Sequence, residues 1–174
     1  MLVGACGDDD DGTGGGGIAR SAQLQSLTAD QFTQVCAEFS AYSDQFDASD
    51  DAKHGLCLAF ATFALVEEPP DDGDLETACQ EVVDVCQGSL TPAAIDEGVS
   101  MLMGDICDGG PPVSCTVTVG DVDTCLDQGI DLLTNVGKTA TCASLAADGT
   151  LAGTNTEGAV LPATCEMIAS ANCE

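Results

Sequence analysis

Eleven cysteines, at positions 6, 36, 57, 79, 86, 107, 115, 125, 142, 165 and 173, set the strongest limit on how this 174-residue chain can fold. No two of them form Cys-x-x-Cys, so the spacing excludes a thioredoxin-like redox motif and the ordinary pairs of a zinc ribbon. The lone histidine, His54, likewise rules out a His-Glu-x-x-His zinc helix. The ten cysteines after Cys6 are therefore read as five disulfides, which require an oxidising compartment such as a periplasm or the cell exterior; the competing reading is reduced core cysteines. Such staples answer a compositional need. Leu, Ile, Val and Phe together number 38, about 22% of the chain, just above the roughly 20% level below which highly charged sequences stay disordered. With five Phe, one Tyr and no Trp, most of the packing falls to Ala, Val, Leu and Cys.

Thirty Asp and Glu face three basic residues, Arg20, Lys53 and Lys138, for a formal charge of -27. A surface this acidic cannot neutralise phosphates, which excludes nucleic-acid binding and attachment to anionic lipid through basic patches. It must also repel itself when compact. Screening has to come from the medium, whose Debye length falls from ~30 Å at 0.01 M salt to ~3 Å at 1 M, so added sodium or potassium chloride is expected to raise the melting temperature alike. The longest apolar stretch, Gly55 to Val66, has 12 residues. That is too short to span a bilayer and suits a buried core helix.

Periodicity predicts an all-α, disulfide-stapled bundle of about five to seven helices. Thr28-Ala29-Asp30-Gln31 has the form of a capping box, and Phe32, Val35, Cys36, Phe39 and Phe46 continue it as a helix over 29–46. A nearly all-apolar helix follows over 51–66, carrying Leu56, Leu58, Phe60, Phe63 and Leu65, and Pro69-Pro70 stops it. A third is expected over 74–87 with Gly88 as its C-terminal cap, and a fourth over 91–107 starting at Thr91-Pro92 and carrying Ile95, Val99, Leu102 and Ile106. The alternation in 114–119 allows a short strand, while Thr118-x-x-Asp121 can equally cap a helix over 119–136 that Gly137 ends. A short helix near 139–147 and a last one starting at Pro162 complete the reading. If the first two helices form a hairpin, Cys36 and Cys57 flank its turn closely enough to pair, whereas Cys86 and Cys107 are offset too far around theirs.

The N-terminus accounts for the odd cysteine. Leu2-Val3-Gly4-Ala5-Cys6 resembles the lipobox of bacterial lipoproteins, with an aliphatic residue three before the cysteine and small residues between. The resemblance implies that Cys6 carries a diacylglyceryl thioether, and that the membrane is met through the lipid alone. Five residues precede Cys6, fewer than a charged and apolar signal segment needs, so it also implies a start upstream of Met1. The alternative is an unstructured N-terminus with a free thiol. Residues 1–6 are then the remnant of a signal, 7–26 an acidic and Gly-rich tether, and 27–174 a single cysteine-rich helical domain. From Cys115 to Leu145 the string CTVTVGDVDTCLDQGIDLLTNVGKTATCASL is similar to segments of cysteine-rich lipoproteins of myxobacteria and their relatives. That similarity implies an extracytoplasmic location and brings no activity with it.

Little in the chain points to catalysis. Any Ser-His-Asp or Cys-His arrangement must use His54, which reads as an exposed or locally hydrogen-bonded side chain, and Ser100 lacks the second Gly of a nucleophile elbow. Calcium is the stronger rival, because hard cations take carboxylate oxygens. No EF-hand loop is present, but loose clusters occur at Asp44, Asp47, Asp50 and Asp51, at Glu67, Glu68, Asp71, Asp72 and Asp74, and at Asp123, Asp127 and Asp131. Each reads first as a solvated face or loop. The expectation is a lipid-anchored extracytoplasmic module, structural or protein-binding, with no catalytic residues, cofactor or metal ligands, an unidentified protein partner and no nucleic acid; the alternative is a calcium or divalent-cation-dependent binding module.

Overall fold

The computed structural model describes residues 17–70, 73–91, 93–94, 107, 110–152 and 162–171. Among them the fold is all-α, with six helices: α1 (Ala29–Asp47), α2 (Asp50–Glu67), α3 (Leu75–Ser89), α4 (Val119–Thr139), α5 (Cys142–Ala147) and α6 (Ala163–Ser170). Their starts are written in the sequence. Thr28 and Gln31 form the expected capping box, Ser49 accepts from the Ala52 amide, Asp74 from Thr77, and Thr118 exchanges hydrogen bonds with Asp121. Thr91 also caps, accepting from the Ala94 amide at 3.2 Å, so the fourth expected helix begins where the sequence placed it; most of its length lies outside the described residues.

Two glycines do something other than end a helix. Gly88 lies inside α3, which runs on to Ser89, and Gly137 lies inside α4, which runs on to Thr139. The physical reason for Gly137 is a close crossing of α2 and α4. A Cβ on Gly137 would overlap the Asp51 carbonyl and lie 2.9 Å from the Gly55 amide, and one on Gly55 would overlap the Leu133 carbonyl and lie 3.0 Å from the Gly137 amide. Removing both side chains lets the two backbones touch. The Asp51–Lys138 ion pair, 3.7 Å, sits beside this crossing.

Three apolar clusters are strung along α4. The first combines Ile18, Leu24, Leu27, Phe32, Val35 and Phe39 with Cys115, Val117, Val119 and Val122. The second contains Cys57, Leu58, Ala61, Leu65, Cys79, Val83, Cys142 and Leu151, with Val136 of α4 against it. Between them Phe46 and Ala52 pack on Ile130 and Leu133. The folded body therefore begins ahead of residue 27. Ile18 and Leu24 are buried in the first cluster, so residues 18–26, expected as part of the tether, are anchored to the folded body.

The same segment explains the alternation over 114–119. Cys115, Val117 and Val119 are buried while Thr116 is exposed, the pattern of extended chain. Its partner is the stretch after Ile18: Leu24 N–H donates to the Val117 carbonyl at 2.9 Å, and Val119 N–H to the Ala22 carbonyl at 3.0 Å. These make one isolated antiparallel bridge, Gln23 to Thr118, and no strand among the described residues. The capping reading of Thr118 prevails one residue later.

Four disulfides join described residues: Cys36–Cys107, Cys57–Cys86, Cys79–Cys142 and Cys125–Cys165, with Cα separations of 5.9, 5.6, 5.6 and 4.9 Å. Cys115 is also disulfide-bonded. The expected Cys36–Cys57 pairing is thus wrong. It assumed a hairpin of α1 and α2, but α2 lies chiefly along α4 and α3, so Cys36 joins the first cluster and Cys57 the second.

Candidate functional site

The candidate residues for chemistry are dispersed rather than gathered. His54, on α2, meets the Gln87 side-chain nitrogen at 2.9 Å through Nδ1, fastening α2 to α3 where the two helices run antiparallel beside Cys57–Cys86. Ser100 and Cys6 lie outside the described residues. No group of three or more His, Cys, Asp or Glu side chains among the described residues could hold a metal ion.

Several members of the acidic clusters are engaged individually. Asp47 and Asp50 flank Lys53, at 3.6 and 3.2 Å, and Asp51 pairs with Lys138. Asp74 caps α3, and the hydrogen bonds from the Thr77 amide and hydroxyl hold its carboxyl below the ordinary aspartate range. Asp71 and Asp72 are outside the described residues.

On α4, Asp123 and Asp127 enter a network that sequence periodicity did not reveal. Arg20, from the segment ahead of α1, reaches Asp123 at 3.1 Å, and the hydroxyl of Tyr42 on α1 donates to Asp127. Burial raises the Asp123 carboxyl despite the nearby guanidinium, with the Asp127 charge adding to the rise. Burial and these two carboxylates push the Tyr42 hydroxyl up to about 12. Arg20 and Tyr42 were unremarkable as sequence, because nothing in periodicity brings residue 20 and residue 42 to one face of a helix that starts near 119. Their arrangement is a clamp between three segments rather than an open reactive site.

A concavity lies between α2 and α3. It is an open groove of about 670 Å³ lined by Leu56, Phe60 and Ala64 from α2 and by Val82, Val85 and Leu90 around α3, with Glu81 at its edge. Phe60 and Val85 are 57% and 73% exposed, and Phe63, one turn beyond Phe60, is 63% exposed. The apolar 12-residue stretch expected as a buried core helix is therefore buried on one side only: Cys57, Leu58, Ala61 and Leu65 face the core while its two phenylalanines face out. Its nearly continuous hydrophobicity had no period from which to tell the two sides apart.

No protein-family model, curated protein or solved structure matches the chain. The disulfides fit an oxidising, extracytoplasmic compartment. No helix among the described residues is long and apolar enough to cross a membrane.

Proposed function

We propose that this protein is a lipid-anchored extracytoplasmic module, fastened through Cys6, whose disulfide-stapled body has a structural or protein-binding role and no catalytic activity. The observation that carries the reading is the cysteine accounting. Every described cysteine is disulfide-bonded: eight in the four pairs and Cys115 as the ninth. Eleven less nine leaves Cys6 and Cys173, one of which must partner Cys115 if the bond is intramolecular. The lipobox-like residues ahead of Cys6 favour it as the cysteine that takes lipid, which assigns Cys173 to Cys115. Eleven residues separate Cys6 from the buried Ile18, enough to hold the body at most about 40 Å from the anchor.

Non-reducing peptide mapping tests this directly. The expected result is a Cys115–Cys173 link together with a diacylglyceryl mass on the peptide beginning at Cys6; a Cys115–Cys6 link overturns the anchor. Because each buried lipid CH₂ contributes about 0.8 kcal/mol, several acyl chains hold essentially permanently, and Cys6→Ser is expected to move the protein into detergent-free supernatant.

A further inference from the structure

We propose that the groove between α2 and α3 is the docking site for a basic amphipathic helix of a partner protein. This rests on the protein-binding part of the reading above and is independent of the lipid.

Soluble chains bury large apolar side chains where they can, and this chain has only five Phe. Two of them, Phe60 and Phe63, are nonetheless left on the surface, although the neighbouring core of Cys57, Leu58, Cys79 and Val83 contains no buried aromatic at all. Leu56, Phe60 and Phe63 stand at i, i+4 and i+7, one face of α2, and Val82 and Val85 stand opposite on α3. The eight helical steps from Leu56 to Ala64 give about 12 Å of groove. That is the length two to three turns of a helix fill with anchors at i, i+3 or i+4, and i+7. The groove is held open by covalent bonds, since Cys57–Cys86 ties α2 to α3 at its base and Cys79 secures α3 to α5. A site preformed in this way has little ordering entropy to overcome on binding.

Charge selects among occupants. Glu81 stands at the groove, Asp84 follows on the exposed side of α3, and Glu67 and Glu68 close the far end of α2. Lys53, the nearest cation in sequence, is occupied by Asp47 and Asp50. A second copy would bring another -27 to the contact, so self-association is opposed by the field that favours Lys and Arg. Leu90 lines the groove, whereas Cys107 is bonded to Cys36 and packed on the first core. A helix with a Leu or Phe stripe flanked by Lys or Arg matches the apolar floor, Glu81 at the groove and the acidic surface around it.

The test uses the full oxidised chain and a synthetic peptide of Leu and Lys patterned at 3.6 residues per turn, with a scrambled peptide of the same composition as control. The patterned peptide is expected to bind at least about tenfold more tightly than the scrambled one, and Phe60→Ser with Val85→Ser to abolish that difference while leaving the melting temperature unlowered. Equal binding of the two peptides means attraction by charge alone and overturns the groove. A preference for the patterned peptide that survives Phe60→Ser with Val85→Ser also overturns it, while leaving the protein-binding reading standing. Concentration-dependent dimerisation abolished by Phe60→Ser would assign the groove to a second copy. Hydrogen-exchange protection of residues 95–106 that Phe60→Ser removes would assign it to the chain itself, and either result refutes the proposal.

Discussion

The core around Phe32 and Phe39 and the core around Cys57 and Cys79 are filled with different material. In the first, two phenylalanines are buried among Val35, Leu24 and Val119 with one disulfide-bonded cysteine, Cys115, while Cys36 and Cys107, bonded to each other, are only partly buried against it. In the second no aromatic side chain is buried; Cys57, Cys79 and Cys142 are, and two disulfides pass through it. An aromatic ring holds its neighbours by the area it removes from water, whereas a disulfide holds them chiefly by limiting what the unfolded chain can do. The second core thus buries three cysteines and no ring where the first buries two rings and one cysteine, and the phenylalanines of α2 beside it stand on the outer wall.

The sharpest way to break this comparison is to remove one disulfide from each core. Cys79–Cys142 and Cys36–Cys107 close spans of 63 and 71 residues, so chain entropy assigns each about 4 kcal/mol. Only the former adds the loss of fully desolvated sulfurs, with Cys79 and Cys142 at 0% and 5% exposure. Cys79→Ala with Cys142→Ala is therefore expected to destabilise more than Cys36→Ala with Cys107→Ala in denaturant titrations, and to release hydrogen-exchange protection first in α3 and α5. Equal losses would mean that sulfur burial contributes nothing and that the two cores differ in composition alone.

The reverse experiment removes a ring. Phe39, 1% exposed in the first core, is expected to cost roughly 3 to 5 kcal/mol as Phe39→Ala. Phe63→Ala, on the outer wall of the second, should stay within about 0.5 kcal/mol. A large loss at Phe63 would show that the second core leans on its outer aromatics after all.

Smaller effects are expected where the cores are joined by the α2–α4 crossing. Gly129 and Gly137 lie two turns apart in α4, yet a Cβ at Gly129 meets nothing within 4 Å while one at Gly137 collides with backbone of α2. Backbone cannot rotate away as a side chain can. Gly137→Ala should cost about 1 to 3 kcal/mol or more, and Gly129→Ala should gain about 0.5 to 1 kcal/mol from helix propensity. Thermal melts of the two variants, moving in opposite directions, check the crossing without touching either core.

Local signals in the sequence carried much of this architecture and failed at identifiable points. Capping residues located the starts of α1, α3 and α4 because their hydrogen bonds reach only three residues. Disulfide pairing depends on which helices lie side by side, and Cys36 was assigned to Cys57 because adjacency in sequence stood in for adjacency in space. The same limit hid the clamp of Arg20 and Tyr42 on α4 and the role of Gly137, each a contact between residues more than 70 apart in the chain. The groove was half legible: the apolar residues of α2 were evident, but which of them faced outward depended on where α3 and α4 packed.

The alkaline limb of stability offers the finest test of the comparison, because the only tyrosine of the chain packs against the first core and the second has none. Burial, the charges of Asp123 and Asp127, and the hydrogen bond to Asp127 raise the Tyr42 hydroxyl from 10.0 to about 12. A raised value means that the folded state keeps a proton that the unfolded state has already released. The stability linked to Tyr42 is fully present below pH 10 and is lost as pH rises from 10 towards 12. Tyrosinate absorbance should accordingly appear near pH 12 in the native protein and near pH 10 in denaturant, with no second tyrosine to confuse the signal. Tyr42→Phe should remove this component of alkaline destabilisation. Asp127→Asn should bring the native midpoint part of the way back, since burial, the larger cause, persists. A native midpoint at 10 would place the Tyr42 hydroxyl in water and detach α1 from the carboxylates of α4.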